Sequence, residues 1–279
     1  MSNPVFNQVK KQVEEKRYAG FGSGQSSYGQ PAQGYGTPSA DQLNEMYQQA
    51  PAGPVQTGRV TVDDVIMKAL CLFGLVVVGS VVSWLTMTVN PAVGGLMWMV
   101  GMFGTLAIGL ALFFMKSVNV PLIVTYAALQ GLFVGAVSRV FERMYPGVVS
   151  TAILATLCVF GAMFIGWKAG YIKVTARSRR IVGMVLVGYM LFSFVSLLVA
   201  MIGGKSWGLF PFGSPLGIGI SLLVVGLAAY TLAIDFESIQ EAVDAGMPEK
   251  YSWLLAHGLM VTVIWLYMEI LRLIAQFRD

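Results

Sequence analysis

Two acidic side chains, Asp235 and Glu269, sit inside or at the edge of long apolar runs, LLVVGLAAYTLAID and VIWLYMEILRLIAQF. A carboxylate at membrane depth costs a few kcal/mol, roughly 2.5–3.5 on insertion scales, so such groups usually face a protein interior or a water-filled path. Two carboxylates held close share a proton, with one of them hard to ionise, and make a pH-sensitive site. They also offer the hard oxygen ligands that Ca²⁺ prefers. Asp235 and Glu269 are 34 positions apart in the sequence. With the reversal expected at Gly246–Pro248, two extended antiparallel helices would set them about 10 residues out of level, roughly 15 Å. A direct pair therefore requires a non-helical segment over 242–252.

Each acid has a plainer reading beside the chemical one. Asp235 can be an interfacial acid at the end of its span, with Glu237 and Glu241 continuing a solvated turn. Glu269 has Arg272 at i+3 on the same helix face, so a local ion pair could hide both charges. The single histidine, His257, lies 12 residues before Glu269. That is about 120° around a helix, so the two are no ready-made dyad, and His257 reads as a packed or interfacial ring. Cys71 and Cys158 read as small buried apolar side chains. No G-x-S-x-G, H-E-x-x-H, Walker or Rossmann motif is present. Without a nucleophile–base set or metal-ligand spacing, neither an enzyme nor a bound cofactor is expected.

The elements that position these acids follow from composition. The chain has 279 residues, 56% of them hydrophobic and 11% charged. Soluble domains carry roughly 25% charge, so a polytopic membrane protein in a lipid bilayer is expected. The formal charge of +4 resides largely in short loops and is no nucleic-acid signal. Seven apolar runs, each near the ~20 residues that cross a bilayer, are expected at about 65–89, 93–115, 118–138, 148–167, 181–202, 216–239 and 252–275. Thr61-Val-Asp-Asp64 reads as a capping box for the first. Gly131 and Gly135 form a GxxxG in the third, which permits close helix approach.

Residues 1–60 are read as a separate Gly-, Ser-, Gln-, Tyr- and Pro-rich tail, expected to be disordered because it has little apolar surface to bury. Residues 61–279 are read as the membrane domain. With the N-terminus in the cytoplasm, inner loops hold seven basic residues (Lys116, Lys168, Lys173, Arg177, Arg179, Arg180, Lys250). Outer loops hold three (Arg139, Arg143, Lys205). Positive charge favours the inner side, so a cytoplasmic N-terminus and an outer C-terminus are expected, with Trp207–Phe212 as an outer interfacial belt.

Three stretches carry a family resemblance: Tyr126–Glu142 (YAALQGLFVGAVSRVFE), LAAYTLAIDFESI around Asp235, and WLYMEILRLI around Glu269. From about residue 62 onward the chain resembles the Bax inhibitor-1/YccA-like, or transmembrane Bax inhibitor motif, family, in a variant like the actinobacterial one. The resemblance implies an all-α seven-transmembrane-helix bundle with a central C-terminal helix, in a bacterial inner (plasma) membrane. It also implies a pH-dependent cation leak, chiefly of Ca²⁺, gated by two aspartates. Asp235 matches the first, and Glu269 stands where the second is expected. Lys116 approximates the family's basic partner near the inner end of span two, and Arg272 is a second candidate counter-charge. Some relatives instead modulate a membrane-bound protease, which makes a non-transporting regulator of other membrane proteins the rival reading.

Overall fold

The computed structural model describes residues 58–115, 117–203 and 213–278. The tail up to residue 57, Lys116 and the Trp207–Phe212 belt lie outside them. The described residues form seven helices: α1 (Val62–Val89), α2 (Pro91–Phe114), α3 (Val120–Met144), α4 (Val148–Lys168), α5 (Ala176–Gly203), α6 (Pro215–Asp244) and α7 (Tyr251–Arg278). All seven are long and apolar enough to cross a membrane. Among the described residues, the β-type pairing outside helices is one isolated antiparallel bridge, Arg59 with Pro248.

Cap residues set several boundaries. Thr61 accepts from the Asp64 amide at 3.2 Å and opens α1, as the capping box requires. Asn90 closes α1 and caps α2, with Pro91 beginning the new helix. A residue before proline avoids the α region, while proline suits the first helical turn, so one residue separates two spans. Asn119-Val-Pro121 and Ser214-Pro215 repeat the device at α3 and α6. Three helices reach past the expected limits: α3 to Met144, α5 back to Ala176 and α6 to Asp244. An apolar run marks the hydrocarbon layer, whereas the i→i−4 ladder continues into water without penalty.

Helix α7 is the hub. It packs against α1, α3, α4 and α6, and 50% of its most apolar window is buried, against 6% for α5. The tightest pair is α1 with α3, where Gly79, Gly131 and Gly135 let the two backbones touch. Helix α5 is the outlier. None of its described side chains is buried, and α6 alone among the helices approaches it closely. Helices α1 and α4 do not meet. Between them lie two apolar clefts of about 530 and about 550 Å³ that share Phe73.

One sequence expectation is corrected. Cys71 and Cys158 are exposed on the outer surface of the bundle rather than buried. In water an apolar side chain is driven inward. Against lipid tails it gains nothing by turning in, so polarity no longer separates core from surface.

Candidate functional site

The chain from Asp235 to Glu269 carries six acidic residues, spread over α6, the Ala245–Lys250 turn and α7. Three of its carboxylates, Glu237, Glu241 and Glu249, tie elements together. Glu237 accepts from the Trp167 indole of α4 at 2.8 Å. Glu241 takes both guanidinium nitrogens of Arg179 at 2.8 and 2.9 Å, joining α6 to the start of α5. Asp244 accepts from Gln240, one helical turn before it. Glu249 belongs to a cluster at the turn, in which Lys68 donates to Asp64 at 2.8 Å, Ser252 at 2.7 Å and Glu249 at 3.4 Å. The Val60 amide donates to the Met247 carbonyl at 2.9 Å. Together these fasten the α6–α7 turn to the beginning of α1.

Asp235 and Glu269 differ from the rest of that stretch. Each has one buried carboxylate oxygen, Oδ2 of Asp235 and Oε2 of Glu269, with no hydrogen-bond partner. Asp235 is half-buried on α6 and lies beside the Thr262 side chain of α7, whose hydroxyl donates to the Gly258 carbonyl at 3.2 Å. Glu269 is 7% exposed. Its Oε1 accepts from the Tyr189 hydroxyl of α5 at 2.5 Å and from the Trp265 indole at 3.2 Å. The Tyr189 and Trp265 rings lie 6.1 Å apart.

The two acids do not pair. Both helices run up to the turn, so a stagger remains, shorter than the roughly 15 Å expected of two extended helices. Asp235 is level with Thr262, seven residues before Glu269, or roughly 10 Å along the axis. Calcium holds its oxygen ligands at about 2.3–2.6 Å. In this conformation one ion cannot bind both carboxylates, and the single shared site gives way to two separate acids. Among the described residues, no group of three or more His, Cys, Asp or Glu is placed to hold a metal ion.

Arg272 is exposed and forms no ion pair with Glu269. It lies near enough to influence Tyr189. Lys116, the other candidate counter-charge, is outside the described residues. His257 packs edge-to-face on Tyr126, centroids 4.6 Å apart, and its Nδ1 is buried without a partner.

Tyr189, Thr262 and Trp265 escaped the sequence reading. A tyrosine or tryptophan in an apolar run is ordinary, and Tyr189 meets its partner 80 residues away. One signal was available. Thr262, Glu269 and Gln276 repeat every seven residues, which keeps polar groups on one face of α7 within a 40° arc. All three are buried.

No curated protein matches the chain, and no solved structure does. A family model described as Bax inhibitor 1 like matches residues 3–279, a span that includes the tail left out of the sequence resemblance. With a buried seventh helix carrying a carboxylate, six further spans and a match over nearly its whole length, the chain is a member of the Bax inhibitor 1 like family.

Proposed function

We propose that this membrane protein is a pH-sensitive cation leak, with Ca²⁺ as the transported ion and Asp235 and Glu269 as its path carboxylates. The observation that carries the reading is the buried, unpartnered oxygen on each of these two acids. Such an atom is costly to keep in place, and a cation passing through would satisfy it. The separation of roughly 10 Å suits an ion that visits two sites in turn. Weak, successive sites let an ion both enter and leave. Protonation removes the charge that attracts the ion, which gives the pH dependence. Glu269 is faced by Tyr189 of α5 and Trp265 of its own helix, with Arg272 beyond Tyr189; Asp235 is faced by Thr262. The basic loops favour a plasma-membrane orientation with the N-terminus in the cytoplasm and the C-terminus outside.

The test is Ca²⁺ flux into proteoliposomes at about pH 6 and about pH 8, on either side of neutrality, for wild type, Asp235→Asn and Glu269→Gln. A pH-dependent flux altered by either substitution supports the leak. Flux equal to that of empty liposomes in every condition, from protein shown to be folded, rejects it. The regulator reading, in which the tail and the acidic α6–α7 turn would contact a partner such as a membrane-bound protease, would then take its place.

A further inference from the structure

Helix α5 is built unlike the other six. It has no buried described side chain, and no Cα of α5 lies within 8 Å of a Cα of α7 among the described residues. Arg179 and Tyr189 each tie it to another helix. At its start Arg179 clasps Glu241 of α6 with two hydrogen bonds. Ten residues on, about 15 Å along the axis, Tyr189 reaches across to Glu269 of α7 at 2.5 Å.

The faces of α5 are sorted. Tyr189, Ser193 and Ser196 follow i, i+4, i+7 spacing and fall within a 60° arc. Ser193 lies beside Tyr189. Met184, Val187, Met190, Leu191, Phe194 and Val195 are exposed apolar side chains suited to lipid. Tyr189 joins the polar arc to the Thr262, Glu269, Gln276 face of α7 through Glu269. The backbones on either side are too far apart to pack.

We propose that Tyr189 is the closing residue of the ion path: its hydroxyl on Glu269 holds α5 shut against α7, and its release lets α5 swing about the Arg179–Glu241 end and opens the carboxylate. The closure rests on the leak reading for its meaning and on geometry for its existence. Tyr189 acts through Glu269 as a positioning residue. A hydrogen bond to a charged acceptor is among the stronger single contacts in a protein, and among the described residues no backbone packing of α5 on α7 stands behind it.

The experiment pairs a distance with a flux. Spin labels go on Val195→Cys of α5 and Leu85→Cys of α1, both exposed to lipid in the half of the bundle remote from Arg179, in a background with Cys71 and Cys158 replaced by serine. The label-to-label distance and Ca²⁺ flux in proteoliposomes are then measured for the Tyr189 variants. Tyr189→Phe is expected to broaden the distribution toward longer distances and to raise flux about tenfold or more. Tyr189→Phe keeps the ring, so a change there reports the hydroxyl rather than ring packing. Wild-type distance and wild-type flux in Tyr189→Phe overturn the closure while leaving the leak intact. Should Tyr189→Phe fail to fold, unchanged distance and flux in Tyr189→Leu overturn it equally. Longer distances without flux in any variant uphold the closure and overturn the leak.

Discussion

Placing a single methyl group on Gly135 should destabilise the bundle, whereas the same change at Gly161 should not. A Cβ at Gly135 would stand 2.6 Å from the Ser80 Cα and 2.7 Å from its carbonyl carbon, where ordinary contact begins at 3.4 Å. The atoms it would meet are Ser80 backbone, so no side chain can move aside. Helices α1 and α3 must separate by close to 1 Å. That would also strain the neighbouring contact of Gly79 with Gly131 and the 3.1 Å hydrogen bond from Ser80 to the Gly131 carbonyl. Overpacking of this kind costs about 1–3 kcal/mol. At Gly161 of α4 nothing lies within 4 Å of the added atom, so Gly161→Ala should gain up to about 1 kcal/mol from helix propensity alone. Both changes are Gly→Ala within a helix, so the propensity gain cancels between them and the expected gap is the overpacking cost, about 1–3 kcal/mol. Reversible unfolding in mixed micelles by titrated dodecyl sulfate, followed by tryptophan fluorescence, reads it directly. A gap below about 0.5 kcal/mol, the range of an ordinary surface substitution, would refute the close α1–α3 packing.

Three further outcomes are expected. Lys68→Met keeps the stem beside Trp253 but removes the donor shared by Asp64, Ser252 and Glu249; it should cost about 1–3 kcal/mol in the same assay, and Glu249→Gln, at a more exposed acid, under about 1 kcal/mol. Tyr267→Phe breaks the buried 2.7 Å bond to Ser138 and should cost about 1 kcal/mol; adding Ser138→Ala should cost less than the sum of the two single losses. Replacing Cys71 and Cys158 by alanine should change stability by no more than about 0.5 kcal/mol, because both face outward.

Much of the fold was legible because lipid imposes a length. Seven apolar runs became seven helices, and the expected limits at 89 and 216 fall within one residue of the observed ones. The overruns at Met144 and Asp244 were hidden because polarity reports where lipid ends, not where hydrogen bonding ends. Cys71 and Cys158 were misplaced because inward and outward positions look alike when the solvent is itself apolar. Asp235 and Glu269 stood out because charge in an apolar run is rare. Their separation could be anticipated from the stagger of two full helices. Tyr189 could not, since its role depends on α5 lying across from α7, a pairing between helices 80 residues apart that no local pattern encodes. Lys68 was equally silent: its partners Glu249 and Ser252 come from the far end of the chain.

The central position of α7 also bears on how the protein is made. Ribosomes deliver helices in order, so α1, α3, α4 and α6 enter the membrane before the helix they all pack against exists. Until α7 arrives, their inner faces must be shielded by lipid, by one another or by the insertion machinery. The last span to emerge is also the one bearing Glu269, His257 and Gln276. Assembly is therefore a matter of threading a polar keystone into a ring already in place. A chain interrupted before Tyr251 would leave six spans with no centre, a natural target for membrane quality control.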